Sequence, residues 1–322
     1  MKRHLSQDLI VFGIFVVAFV GLSVFLDGFL EVGNVLTLLR GVSVLAILGV
    51  GMAIVVIGRG IDLAMISNMA IWTAFALYLA NRGVPIEVSL LVGLLLALLS
   101  GFVSGVLIAY VEIPSLFATL ALGIAIYGLG RFLLVPTDVI YLPANIGAWE
   151  LLGKGFIAGV PVPIIVAAVV GALAFLYLRY TKYGAFTYAI GDNFASARVA
   201  GISVRKIQVL QYVISAAVAY LAGLLTATSV SSINTRVVNS TMIYDVILVV
   251  VLGGIGLSGG KGGVRNVLVG TLLIGTVVNG MTIMDVPFTA QNIFKGVILL
   301  FAIIVDSLVN PRDEQTAQQG DI

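Results

Sequence analysis

The stretch Ile255-Gly256-Leu257-Ser258-Gly259-Gly260-Lys261-Gly262 is the segment whose glycines and lysine come closest to a phosphate cradle. A Walker loop needs a glycine five residues before its Gly-Lys pair, and Ile255 stands there. It also needs Ser or Thr after the lysine to hold magnesium, and Gly262 stands there. The segment therefore reads as a glycine-rich turn, and any ATP chemistry must come from another polypeptide. Cysteine is absent, which removes thiol nucleophiles, disulfides and zinc-thiolate sites. No HExxH, GxSxG or paired-carboxylate constellation occurs, so neither an enzyme, a metal centre nor a bound cofactor is expected. The lone histidine, His4, lies in the N-terminal tail and is not placed for a proton relay. Asp62, Asp245 and Asp306 fall near the ends of apolar runs. Gradient-driven carriers keep ionisable groups mid-membrane, where each costs about 2.5–3.5 kcal/mol on insertion scales and is retained for function. Their scarcity here weighs against an ion-coupled secondary transporter, which stays the alternative.

The elements that must position these residues are membrane helices. Apolar residues make up 60% of the chain, 37 more residues are glycine, and only 10% are charged. A soluble domain has about a quarter of its residues charged, and a chain this apolar could not cover a water-facing surface. A helix crossing a hydrocarbon core of about 30 Å needs about 20 apolar residues. Uncharged runs of that order lie between Asp8 and Asp27, Arg40 and Arg59, Asp62 and Arg82, Glu87 and Glu112, and Glu112 and Arg131. Others lie between Lys154 and Arg179 and between Lys206 and Arg236, followed by Val246–Leu257, Asn266–Met284 and Ala290–Leu308. The expected fold is all-α and polytopic, with about ten transmembrane helices; Val246–Leu257 is short enough to be a half-helix. The membrane domain is expected over 1–309, with a polar, disordered tail over 310–322.

With ten spans both termini share one side. That side would hold Lys2, Arg3, Arg59, Arg179, Lys182, Arg198, Arg205, Lys206, Lys261, Arg265 and Arg312. The other would hold Arg40, Arg82, Arg131, Lys154, Arg236 and Lys295. The positive-inside rule then puts both termini in the cytoplasm. Leu9–Leu26 is long and lacks an A-x-A cleavage site after it, so it reads as a retained first helix rather than a signal peptide. A net charge of +2 implies no nucleic-acid partner.

Two connections are long. The outer one, Arg131–Gly155, carries Pro136 and Pro143 and reads as an irregular segment that could serve as a docking surface. The inner one, over 179–206, holds five basic residues and one acid, Asp192. Within it Phe194 to Ala200 predicts a miniature helix, with Asn193 as N-cap and Gly201 as a left-handed stop. A helix of about two turns is unstable alone in water. It must pack on its own protein, lie on lipid headgroups or dock to a partner.

Several stretches together resemble a known family. These are Gly60-Ile61-Asp62-Leu63, Tyr188-Ala189-Ile190-Gly191 leading into Ala195 to Ile202, and Asp245 through Leu252-Gly253-Gly254. Leu257 to Gly262, Asn279-Gly280 and Val305-Asp306 complete the set. In order and spacing the chain resembles the permease subunit of ribose-type ABC importers, within the wider branched-chain amino acid and ribose permease family. The resemblance implies a multi-pass protein of the bacterial inner membrane that pairs with a second permease copy or a related permease. It implies two cytoplasmic ATP-binding cassette subunits, and a periplasmic or extracellular substrate-binding protein that delivers a sugar or polyol. The miniature helix would then be the coupling helix, with Asn193, Phe194, Ala195, Ala197, Arg198 and Gly201 carrying contact with the ATPase. The family often has glutamate where Phe194 stands.

Polar residues within spans include Ser67, Thr73, Thr119, Ser215 and Thr282. Asn68, Trp72 and Asn279 flank the family-like segments and are the candidates for the translocation path. The competing reading for such residues is helix–helix packing, and Gly101-Phe102-Val103-Ser104-Gly105 reads as packing of that kind.

Overall fold

The computed structural model describes residues 7–144 and 146–309. The tail over 310–322 and His4 lie outside the described residues, as do the side chains of Val305 and Asp306.

The chain folds as a bundle of helices. They are α1 (Gln7–Phe25), α2 (Val32–Ile57), α3 (65–81), α4 (Ile86–Ala109), α5 (Ser115–Leu134) and α6 (Val162–Tyr180). There follow α7 (Lys182–Asp192), α8 (Phe194–Val199), α9 (Val204–Val230), α10 (Met242–Leu252), α11 (Val264–Ile283) and α12 (Phe288–Val309). Among the described residues, six of these (α2, α4, α5, α6, α9 and α11) are long and apolar enough to cross a membrane. Leu9–Phe25, Met242–Leu252 and Phe288–Ile304 are shorter apolar helices. The molecule is thus a predominantly helical, multi-pass membrane protein with little sheet.

Lipid replaces water as the solvent, so burial follows packing rather than polarity. Of the most apolar stretch of α2, 72% is enclosed by protein, against 28% for α5 and 33% for α4 and α6. Helix α2 is therefore the central post and the others are its wall. Leu91, Leu95 and Leu99 form an exposed stripe at i, i+4 spacing on α4. That apolar face belongs against acyl chains.

Without a hydrophobic drive between helices, small residues let backbones close up. Gly101 and Gly105 of α4 do this against α9. A Cβ on Gly105 would stand 2.5 Å from Val209 Cα, and one on Gly101 would stand 2.6 Å from the Tyr212 carbonyl. The packing reading of 101–105 is what the structure contains.

Helix α3 is not uniform. Its turn Asn68–Trp72 is a π-helix between Met65–Ser67 and Thr73–Asn81. Helix α5 ends in a second π turn, Gly130–Leu134, and Gly130 lies against Ile71.

The structure departs from three sequence expectations. The connection over 131–155 is more ordered than its prolines suggest. Strand β1 (Val139–Tyr141) pairs antiparallel with β4 (Ser232–Asn234), Val139 facing Asn234. Strands β2 (Phe156–Ile157) and β3 (Val160–Pro161) form a small hairpin. Asp138 fixes this platform through Arg131 and Arg236, at 2.6 Å each. Secondly, α10 begins at Met242 and stops at Leu252, so Asp245 sits in its first turn rather than outside it. It is tolerated there because Lys295 of α12 pairs with it at 2.7 Å. Thirdly, most of the inner connection is helical, since α7 precedes the miniature helix. The Thr181 hydroxyl caps α7 by accepting from the Gly184 amide at 3.1 Å.

Candidate functional site: the junction of the two short helices

Helices α7 and α8 meet at a single residue, Asn193, with extended backbone (φ −151°, ψ 107°). Its amide donates to Ala189 O at 3.1 Å, closing α7. Its side-chain oxygen accepts the Ser196 amide at 2.8 Å, opening α8. One side chain thus satisfies an orphan donor of the new helix while the backbone turns. The other end is stopped by Gly201 at φ +79°, a conformation that costs an L side chain. Its amide donates to Arg198 O at 3.1 Å, and the Ile202 amide donates to Ala197 O at 3.1 Å. Helix α8 spans Phe194–Val199, one residue shorter than the sequence suggests.

The two faces of α8 differ. Ala197 is buried and half-buried Phe194 packs with it, in a cluster with Ile190, Val204 and Ile207. Ala195, Arg198 and Val199 face outward, and Val199 is 90% exposed. Beside α8 lies an open cavity of about 880 Å3, bordered by Phe194, Arg198, Arg205, Glu112, Gln211 and Tyr212. Arg205 and Glu112 pair across its mouth at 2.8 Å.

Behind α8 stands a residue that sequence reasoning had counted only as a charge. Arg59 follows α2 in a left-handed conformation, φ +67°. Its Nε donates to Gly191 O at 2.7 Å and to Ser258 O at 2.9 Å, and its Nη2 donates to Asp192 O at 2.7 Å. Burial pulls the guanidinium below its ordinary pKa, and the Asp192 charge opposes that. The Gly260 amide donates to Ile57 O at 2.8 Å. The signal in the sequence was Gly58-Arg59-Gly60, a cation between glycines at the end of a long apolar run.

The linker from α2 to α3 is tied down on every side. Asp62 is buried, accepting from Ser215 Oγ at 2.7 Å and from the Ala64 amide at 3.1 Å. The Ile61 amide donates to Ser115 Oγ and the Leu63 amide to Thr119 Oγ1. Ser215 and Thr119 are therefore engaged by their own protein.

Of the three candidate path residues, two come together. Trp72 Nε1 donates to Asn68 Oδ1 at 3.1 Å and to Ser100 Oγ at 3.2 Å, and Ser100 donates to Asn68 Oδ1 at 2.5 Å. The buried amide nitrogen of Asn68 has no partner among the described residues. Asn279 lies elsewhere, in a reciprocal pair with Asn34 on α2 at 2.9 and 3.0 Å. Neither Ser100 nor Asn34 was marked by the sequence, because nothing local ties them to their partners.

Comparison with known proteins gives a consistent picture. Residues 34–303 match the family described as branched-chain amino acid transport system / permease component. The ribose import permease protein RbsC of Haemophilus influenzae is 34% identical, over 88% of this chain and 88% of its own. The ribose import permease of Bacillus subtilis is 32% identical, over 91% and 90%. The galactofuranose transporter permease YtfT of Escherichia coli is 31% identical, over 85% and 80%. No solved structure matches the chain.

Proposed function

The chain belongs to the family of branched-chain amino acid transport system permease components, and from that premise we propose that it is the membrane-spanning permease subunit of an ATP-driven sugar importer. It carries the solute path while a separate subunit hydrolyses ATP. The solute is a sugar or related polyol, handed over by a substrate-binding protein at the outer platform of β1 and β4.

The observation that carries the mechanism is α8, a six-residue helix capped at both ends and bare on one face. In this reading α8 is the coupling helix. Asn193 and Gly201 fix its shape, Ala197 and Phe194 seat it on α7 and α9, and Ala195 and Arg198 meet the ATPase. ATP binding closes the ATPase pair, draws the coupling helices together and rocks two permeases about a central path. The partner is a second copy or a related permease, and Asn68, Trp72 and Asn279 are the candidate path residues. The full topology is about ten spans over 1–309 with both termini cytoplasmic. Helices α1, α10 and α12 and the broken α3 supply the crossings beyond the six long ones.

An ion-coupled carrier is disfavoured by the scarcity of ionisable groups within the spans, and Asp245 already has Lys295 as its counter-charge. The test is a mild-detergent pull-down of the tagged chain from its native membrane, with ATPase assay of the product. A stoichiometric ATPase subunit is expected. A lone protein that transports in liposomes under an ion gradient would overturn the reading.

A further inference from the structure

We propose that Arg59 is the positioning residue that carries movement of α8 into the membrane, by locking three chain segments into one body. The proposal rests on the permease reading of α8. The three segments are the end of α2, the end of α7 and the glycine-rich loop at 253–263. The fork of Arg59 reaches carbonyls of two of them, Gly191 and Asp192 on one side and Ser258 on the other. Those of Gly191 and Asp192 close α7, where the helix dipole is negative, so a cation is favoured there.

The surrounding backbones leave no slack. A Cβ on Gly191 would overlap the Ile57 carbonyl, and one on Gly259 would stand 2.6 Å from Arg59 Cγ. The Gly260–Ile57 bond adds a main-chain tie between the loop and α2. Asp192, gripped through its carbonyl, is the residue immediately before the Asn193 cap of α8.

A push on α8 therefore loads the end of α7 directly. Through Arg59 the load passes to α2, the most enclosed of the six long helices, and to the loop that feeds α11. Lysine would not serve. Its ammonium is a point charge on a flexible stem and lacks the planar fork that spans separate acceptors. The left-handed backbone of Arg59 aims the side chain across the junction instead of along α2, at a conformational cost that an incidental surface arginine would have no reason to carry.

The experiment uses the reconstituted importer, permease with its ATPase and binding protein. The chain has no cysteine, so Ala185→Cys on α7 and Lys261→Cys on the loop, both exposed, are the two labelling sites of the permease, which is spin-labelled before assembly with its partners. With Arg59 intact the intrasubunit distance is expected to be the same without nucleotide and with ATP plus vanadate. In Arg59→Ala it is expected to broaden and shift. Transport per ATP is read with whichever of D-ribose, D-xylose and D-galactose the wild-type complex accumulates. It should fall about ten-fold in Arg59→Ala and Arg59→Lys, with the ATPase still bound and hydrolysing.

A nucleotide-dependent change in the wild-type distance overturns the proposal, and so does an Arg59→Ala complex with unchanged sugar per ATP. Loss of the ATPase from that variant also overturns it, because Arg59 would then only hold the docking surface in shape. If Arg59→Ala does not reach the membrane, Arg59→Lys decides by the same distance and sugar-per-ATP readouts, and wild-type values for both overturn the proposal. A wild-type complex lacking an ATPase is a different failure and removes the permease reading itself.

Discussion

Replacing Asn193 isolates the capping of α8 from its contacts. Its side-chain oxygen accepts the Ser196 amide at 2.8 Å, and alanine removes that acceptor without touching the outward face. Loss of such a cap costs about 1 kcal/mol, within a range of about 0.5–2. The helix has six residues and cannot stand alone, so that energy falls on the equilibrium between its formed and unformed states. At about 1.4 kcal/mol per factor of ten, the formed fraction relative to the unformed drops about five-fold. If the ATPase binds only the formed helix, its apparent affinity falls by the same factor once the unformed state dominates, and by less while packing of Ala197 holds α8 in place. The assay is a titration of detergent-solubilised permease with labelled ATPase subunit, read by anisotropy. Asn193→Asp keeps the acceptor and should bind within two-fold of wild type, and Asn193→Gly should lose only a little because glycine caps within a few tenths of a kcal/mol. Asn193→Ala should be the weakest, by up to about five-fold. Equal loss in the Asp and Ala variants would refute the capping argument, since it would mean the amide itself touches the partner.

Other outcomes follow from the same geometry. Gly201→Pro removes a donor to Arg198 O and cannot adopt φ +79°. It and Arg198→Glu should abolish ATP-driven uptake with normal amounts of protein in the membrane fraction, and normal uptake in either would sink the coupling assignment. Gly105→Val forces α4 from Val209 of α9, an overpacking worth about 1–3 kcal/mol, and should lower the thermal unfolding midpoint in detergent. Asn279→Ala should cost about 0.6 kcal/mol and Asn34→Ala more, because Asn34 Nδ2 also donates to Phe29 O at 2.8 Å, with the double variant no worse than Asn34→Ala alone. Additive losses would show that the pair is not coupled, and a changed half-saturation for sugar in Asn279→Ala would favour a place in the path.

What the sequence revealed was local chemistry. Asn193 and Gly201 were readable as caps because a helix end needs particular residue types within a few positions, whatever the fold around it. Gly101 and Gly105 were readable because small residues four apart in an apolar run have few other uses. The tie of Arg59 to Gly191 and Ser258 was not readable, since its partners lie 132 and 199 positions away. Charges taken as span boundaries misled where they are paired, as Asp245 and Lys295 are across two helices. Helix α7 was missed because its aromatic and glycine content gives no long apolar run, its cap being a lone threonine. The π turns of α3 and α5 leave no compositional trace.

Each π turn holds one residue more than an α-helical turn requires, so the helix beyond it is rotated by about 100° from where uninterrupted α-helix would carry it. Deleting one residue from 68–72 would therefore leave an unbroken helix of ordinary geometry, where in most helices a deletion wrecks the phase of everything downstream. The outer half of α3 would keep its direction. Ala74, Ala76 and Leu77, now buried, would keep the faces they occupy, because the residue removed is the one the wide turn holds in excess. The number of residues in α3 and the orientation of its outer half are thus encoded separately, and homologous chains can gain or lose that one residue without turning the faces beyond it.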